Sequence, residues 1–234
     1  MGLNDLRREL KRQADKEQAA LLQRFFKTKK GEYGEGDKFY GIKVPVQRKI
    51  AKNHKDISLD EIQELLNSPV HEERLVSLFI LVDQYTKGDD RTKEIIYRFY
   101  LKNTKKINNW DLVDLSAPRI IGAHLLNRDK EILYKLAGSS NLWEKRIAIL
   151  STMFFIKNLH FDTTFRIAEI LLEDTHDLIH KGVGWMLREV GNIDSAAEEG
   201  FLKLHYKQMP RTMLRYAIEK FPEEKRRGYL HGSI

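Results

Sequence analysis

The chain has 234 residues, a formal net charge of +7 and no cysteine. The length supports a substantial core, and the missing cysteine excludes a disulfide framework, a thiol nucleophile and a cysteine-ligated metal. No amino-terminal apolar run resembles a signal peptide, and none approaches the roughly 18 apolar residues of a membrane span, so the sequence predicts a soluble, cytoplasmic protein.

An amphipathic helix is expected over residues 3–28. The stretch 29–37 follows as a loop, with three glycines in six residues. It is not a phosphate-cradling loop, because no Gly-Lys-Ser/Thr follows it. Pro45 suits the first turn of a helix over Val44–Asn53. Ser58-Leu59-Asp60-Glu61 has the form of a capping box, opening a helix that runs to Asn67. Ser68-Pro69 breaks it. Leu75, Val76, Phe79 and Ile80 then recur at helical spacing along Glu72–Tyr85.

The same two-helix rhythm predicts Arg91–Leu101 with Trp110–Leu126, then Asp129–Ala137 with Trp143–Lys157. Thr163–Leu172 with His176–Val190 follow, and a last pair spans about 195–221. Period-2 strand patterns are absent, so the expected fold is all-α.

Aligning Glu73-Arg74-Leu75-Val76, Asn109-Trp110-Asp111-Leu112, Lys145-Arg146-Ile147-Ala148 and His180-Lys181-Gly182-Val183 places Arg74, Trp110, Arg146 and Lys181 at steps of 36, 36 and 35 residues. Such a period belongs to stacked helical repeats, none of which buries its apolar face alone. One helical turn further on stand Asp114 in the second unit and Trp185 in the fourth. The expected architecture is a single right-handed stack over 1–234, with repeats over about 43–221 and a basic tail at 222–234. Its concave face would carry tryptophan, aspartate, arginine and lysine together. Residues 1–30 and 203–227 each carry a net +5, which suits a polyanion lying across the stack.

Each of these residues also has a structural explanation. A helix tryptophan can be core, a helix aspartate solvated or paired, and Arg146 the ion-pair partner of Asp114. Asp111 is turned aside from the Trp110–Asp114 face and suits capping or first-turn electrostatics. His176 and His180 are spaced to share a metal, but no third ligand accompanies them and His-Glu-x-x-His is absent. No metal or cofactor is expected.

The segments Asn109-Trp110-Asp111-Leu112-Val113-Asp114, Asn141 to Leu150 and Gly184-Trp185-Met186-Leu187-Arg188-Glu189 resemble the AlkD-type DNA glycosylases of the DNA alkylation repair superfamily, which are built from HEAT-like repeats. Tyr40-Gly41-Ile42-Lys43-Val44-Pro45 is similar to that family's early Gly-hydrophobic-x-x-Pro signature. The resemblance spans roughly residues 15–221. It implies that Asp114 is the catalytic carboxylate, that Trp110 and Trp185 flank the lesion, and that Arg146 contacts the DNA backbone. Some members carry Trp-Trp-Asp where this chain has Asn109-Trp110-Asp111, and the loop at 29–37 is longer here.

The implied reaction is hydrolysis of the N-glycosidic bond of N3- or N7-alkylated purines in duplex DNA. The implied partner is alkylated double-stranded DNA, met by a nucleoid-associated monomer with no membrane contact. Arg74, Lys145, Lys181 and Arg188 join Arg146 as candidate phosphate contacts. A cationic purine is already a good leaving group, so one carboxylate can suffice where ordinary glycosidases use two. Two other classes fit a basic helical stack: a nucleic-acid binder without catalysis, and a protein scaffold. Neither needs a carboxylate among cations that face a polyanion.

Overall fold

The computed structural model describes residues 2–234. It is all-α, and the described residues contain one isolated bridge, Lys38 to Val70, in place of any sheet. They divide into two compact units, Met1–Ser116 and Ala117–Ile234. No helix among them is long and apolar enough to cross a membrane.

The first unit runs α1 (Leu3–Arg12), α2 (Lys16–Phe25), α3 (Val44–Asn53), α4 (Leu59–Leu66), α5 (His71–Lys87) and α6 (Asp90–Lys102). A 3₁₀ turn (Thr104–Lys106) then leads to α7 (Trp110–Ala117). Helix α5 is the axis of this unit and packs against α3, α4 and α6. Residues 71–81 of α5 are buried on every side, as a helix enclosed by neighbours must be.

That enclosure includes charged groups, and each has partners, as buried charge requires. Glu72 accepts the backbone N–H groups of Tyr40, Gly41 and Ile42 at 3.0, 2.8 and 3.2 Å. Glu73 accepts Arg7 Nε and the Tyr40 hydroxyl at 3.1 and 3.0 Å. Gly41 has φ +87°, and a Cβ there would stand 2.0 Å from the Asp15 carbonyl oxygen. The Tyr40-to-Pro45 motif is thus a tight backbone crossing that only glycine permits.

The predicted helix 3–28 is two helices. Asp15 accepts Gln18 N–H as the N-cap of α2, while its own N–H donates to the Tyr40 carbonyl at 2.8 Å. A cap side chain and a long-range hydrogen bond together break the helix there. The Ser58 capping box forms as expected, with Glu61 N–H on Ser58 Oγ at 3.2 Å and Ser58 N–H on Glu61 Oε2 at 2.8 Å.

The second unit begins with a π-helical turn (Pro118–Gly122) and continues as α8 (Ala123–Leu125), α9 (Glu131–Ala137), α10 (Leu142–Lys157), α11 (Asp162–Ile170) and α12 (Asp177–Gly191). It ends with α13 (Ser195–His205), α14 (Arg211–Ala217), a 3₁₀ turn (Ile218–Lys220) and α15 (Glu223–His231). The helix expected over Trp110–Leu126 is therefore interrupted. Pro118 has no N–H to donate, so the α ladder breaks and widens at that point.

Helix α10 packs against the π turn, α9, α11 and α12, and α12 packs against α13 and α14. Gly184 sets the spacing of the α12–α14 pair, since a Cβ on it would lie 2.4 Å from the Met213 carbonyl oxygen. The segment expected to be a basic tail contains α15, which buries Tyr229.

Candidate functional site

Helix α7 is anchored at its start by three side chains. Asn109 is fully buried, and its backbone carbonyl accepts Val113 N–H at 3.1 Å, the first bond of the helix. Its side-chain oxygen accepts Trp110 N–H at 2.8 Å, and its amide reaches Asp37 Oδ2 at 3.4 Å. Asp111 Oδ1 accepts Leu112 N–H at 2.8 Å, so an acidic first-turn residue meets an otherwise orphaned donor. Asn109 is thus a buried cap of α7. Leu112 and Val113 are buried, whereas Trp110 and Asp114 are both half-buried one turn apart.

Behind this turn lies a cluster of groups outside the repeat lattice. His71, the first residue of α5, sits between two carboxylates, with Nδ1 3.2 Å from Asp37 Oδ2 and Nε2 2.8 Å from Asp111 Oδ2. Burial pulls the imidazole towards its neutral form, but the charge and hydrogen bond of Asp111 and the hydrogen bond of Asp37 outweigh it. The net effect is a pKa pushed up to about 9. Burial alone would raise Asp37, yet His71 and Arg74 hold its carboxyl below the usual range.

Rings enclose the cluster. Phe26 stacks on Trp110 at 5.3 Å between centroids and on Phe39 at 5.2 Å, and His71 lies 4.8 Å from each of the two phenylalanines. Phe25, 63% exposed, meets the Trp110 ring edge-on at 5.9 Å. Phe25, Phe26, Asp37, Phe39 and His71 escaped the sequence reading. The one available signal was the run His71-Glu72-Glu73-Arg74, four polar residues opening a helix that continues as the mostly apolar run Leu75 to Leu81.

Arg74 was expected at the DNA surface. It is 4% exposed, ion-paired with Asp37 at 2.6 Å and donating to the Ser68 carbonyl at 3.0 Å. Its guanidinium is committed to the interior, where it balances Asp37.

In the second unit, α10 and α12 start alike. Asn141 caps α10 by accepting Trp143 and Glu144 N–H at 2.8 and 3.2 Å, and His176 Nδ1 caps α12 by accepting Leu178 N–H at 3.1 Å. Arg146 is 5% exposed, with Nη1 donating to the Leu178 carbonyl at 2.5 Å. Lys145 is ion-paired with Asp174, whose carbonyl accepts His180 Nε2–H at 2.5 Å. Lys181 meets Asp177 at 2.7 Å, with 39% of its side chain exposed. Trp185 is half-buried and donates Nε1–H to Glu189 at 2.9 Å. Arg188 pairs with Glu219 and approaches Glu189 at 3.6 Å. Trp143 is buried in the core.

Counting from the helix caps corrects the repeat register. Asn109, Asn141 and His176 precede α7, α10 and α12. The fifth residues after them are Asp114 (109 + 5), Arg146 (141 + 5) and Lys181 (176 + 5). Helix α7 starts at Trp110, as expected, and by this count the structural counterpart of Arg146 and Lys181 is Asp114, not Trp110.

A sequence model described as DNA alkylation repair enzyme matches residues 6–221. Among solved structures, a predicted DNA alkylation repair enzyme from Enterococcus faecalis has the same fold, with a TM-score of 0.68. The two chains are 15% identical, and the match covers 90% of this chain and 98% of that one. No curated protein sequence matches. By the extent of the family match, this chain belongs to the DNA alkylation repair enzyme family.

Proposed function

We propose that this protein is a DNA glycosylase that hydrolyses the N-glycosidic bond of cationic N3- and N7-alkylated purines in duplex DNA. The observation that carries the reading is the pair on α7. Trp110 and Asp114 are half-buried one turn apart, beside buried Leu112 and Val113, in a chain whose family is named for alkylation repair.

In this reading the alkylated base leaves without a general acid, because it already carries positive charge. Charge then builds on the sugar as an oxocarbenium ion. A carboxylate held on a rigid helix stabilises that charge and orients the attacking water. The Trp110 face attracts the same developing cation, worth roughly 0.5–2 kcal/mol according to desolvation. Trp185 is assigned as a second aromatic at the lesion. Lys181, Lys145, Arg188 and Arg146 are assigned to backbone phosphates, which set register without reading bases.

Of these cations, Lys181 is the best disposed. Its partner Asp177 lies on the surface, and an exposed pair of this kind contributes only about 0–1 kcal/mol, so a phosphate can replace the carboxylate. The reaction as proposed calls for no metal or cofactor, and a monomer working at cytoplasmic DNA suffices.

The test is a duplex carrying a single 7-methylguanine, incubated with the protein and then treated with alkali to cleave any abasic site. Cleavage at the modified position supports the reading. Binding to the same duplex without release of base would instead make the protein a catalytically silent DNA binder.

A further inference from the structure

A neutral imidazole has one N–H donor and one acceptor, whereas an imidazolium has two donors. His71 faces a carboxylate oxygen at each ring nitrogen, Asp37 at 3.2 Å and Asp111 at 2.8 Å. Carboxylates only accept, so both contacts are hydrogen bonds only when both nitrogens carry protons. The other charged groups around the ring fit that state. Arg74 neutralises Asp37, and the Glu72 carboxylate is taken up by three backbone N–H groups. Asp37, Asp111, His71 and Arg74 then sum to zero charge in a buried cluster, which a neutral histidine would leave at −1.

The cluster ends where α7 begins. Asp111 spends one oxygen on the Leu112 N–H and the other on His71. Asp37 holds His71 and also the Asn109 amide, and Asn109 in turn accepts the Trp110 N–H. The His71 ring also lies against Phe26, which stacks on Trp110. Hydrogen bonds and ring contacts from one side chain therefore converge on the first turn of α7. We infer that His71, donating to Asp37 and Asp111 at once, is the positioning residue that fixes the start of α7 and thereby aims Trp110 and Asp114. The catalytic half of this inference rests on the proposed glycosylase reading; the geometric half does not.

The raised pKa of about 9 gives the inference a signature. Above that pH one of the two hydrogen bonds is lost and the first turn of α7 loosens. The protein has three tryptophans, so its indole ¹⁵N–¹H spectrum has three signals, and Trp110→Phe identifies that of Trp110. In the DNA-free wild type, the Trp110 signal moves with a midpoint near pH 9, and those of Trp143 and Trp185 do not move with it. His71→Gln abolishes the step, and Asp111→Asn, which removes one of the two charges, shifts it to lower pH.

In single-turnover excision of 7-methylguanine, His71→Gln is slowed by up to about 10²-fold, the scale of a small misplacement of catalytic groups, while duplex affinity is unchanged. The inference is overturned if the wild-type Trp110 signal shows no step, if Asp111→Asn leaves the step in place, or if His71→Gln excises at the wild-type rate. Parallel loss of binding and excision in His71→Gln would also overturn it, because the role would then be one of general folding. If the wild type releases no base, the glycosylase reading fails, and the Trp110 titration still decides whether His71 fixes α7.

Discussion

The guanidinium of Arg146 occupies space that Gly182 leaves open: a Cβ on Gly182 would stand 3.3 Å from Arg146 Nη1. Arg146 belongs to α10 and Gly182 to α12, and the same guanidinium donates to Leu178 in the first turn of α12. Gly182 thus lies close beside a buried cation at the junction of two helices.

The two glycines of α12 respond differently to alanine. At position 182 the nearest atoms are the tips of flexible side chains, Leu150 Cδ2 at 3.2 Å and Arg146 Nη1 at 3.3 Å. They yield by small shifts, and the helix gains roughly 0.5–1 kcal/mol of propensity, so Gly182→Ala is close to neutral. At position 184 the nearest atom is the Met213 backbone carbonyl at 2.4 Å, and α14 must move. Gly184→Ala is destabilising by about 1–3 kcal/mol. Urea denaturation of both variants checks the contrast.

Salt dependence of duplex binding ranks the phosphate contacts. Lys181→Ala lowers the slope of log affinity against log salt by about one unit. Arg146→Ala lowers it by less, since Nη1 is already used on the Leu178 carbonyl, and instead lowers the melting temperature. Arg74→Ala leaves the slope unchanged and destabilises the protein, because buried Asp37 loses its balancing charge. A full unit lost in Arg74→Ala would contradict the placement of that residue in the interior.

Two buried groups make stability fall as pH rises. His71 is raised from 6.5 to about 9, so its stabilising contribution is complete below pH 6.5 and is lost as pH passes through about 9. Glu198 is raised from 4.5 to about 8, chiefly by burial, with Lys225 and Arg188 opposing. The folded state holds its proton longer than the unfolded chain does, so stability falls between about pH 4.5 and pH 8 and is level above. Glu198→Gln removes that decline and is more stable than wild type at pH 8. Melting temperatures across pH 4 to 10 test both, and a Glu198→Gln curve that parallels the wild type would contradict the second.

The legible parts of the fold were those set by local chemistry. The Ser58 capping box, Pro45 in the first turn of α3 and the apolar spacing of α5 each specify their helix within a few residues. The break at Asp15 was not legible, because it depends on a hydrogen bond to Tyr40, twenty-five residues away. The lattice located the helices that carry Asp114, Arg146 and Lys181, and the expected start at Trp110 matches α7. It paired Trp110 rather than Asp114 with Arg146 and Lys181, since a fixed period cannot register where each cap falls. His71 was invisible for a related reason. Its partners lie 34 and 40 residues away, and no periodic pattern marks a residue whose role is to join three segments.

The proposed reaction depends on the charge of Asp114, and Asp114→Asn keeps the shape of that side chain while removing its charge. Single-turnover excision of 7-methylguanine from a duplex is compared for wild type and variant. The expected result is a fall on the order of 10²–10³-fold, the scale of losing one preorganised electrostatic group. Duplex affinity is unchanged or tighter, because a negative charge facing phosphates has been removed. Equal excision rates for the two proteins would contradict that dependence.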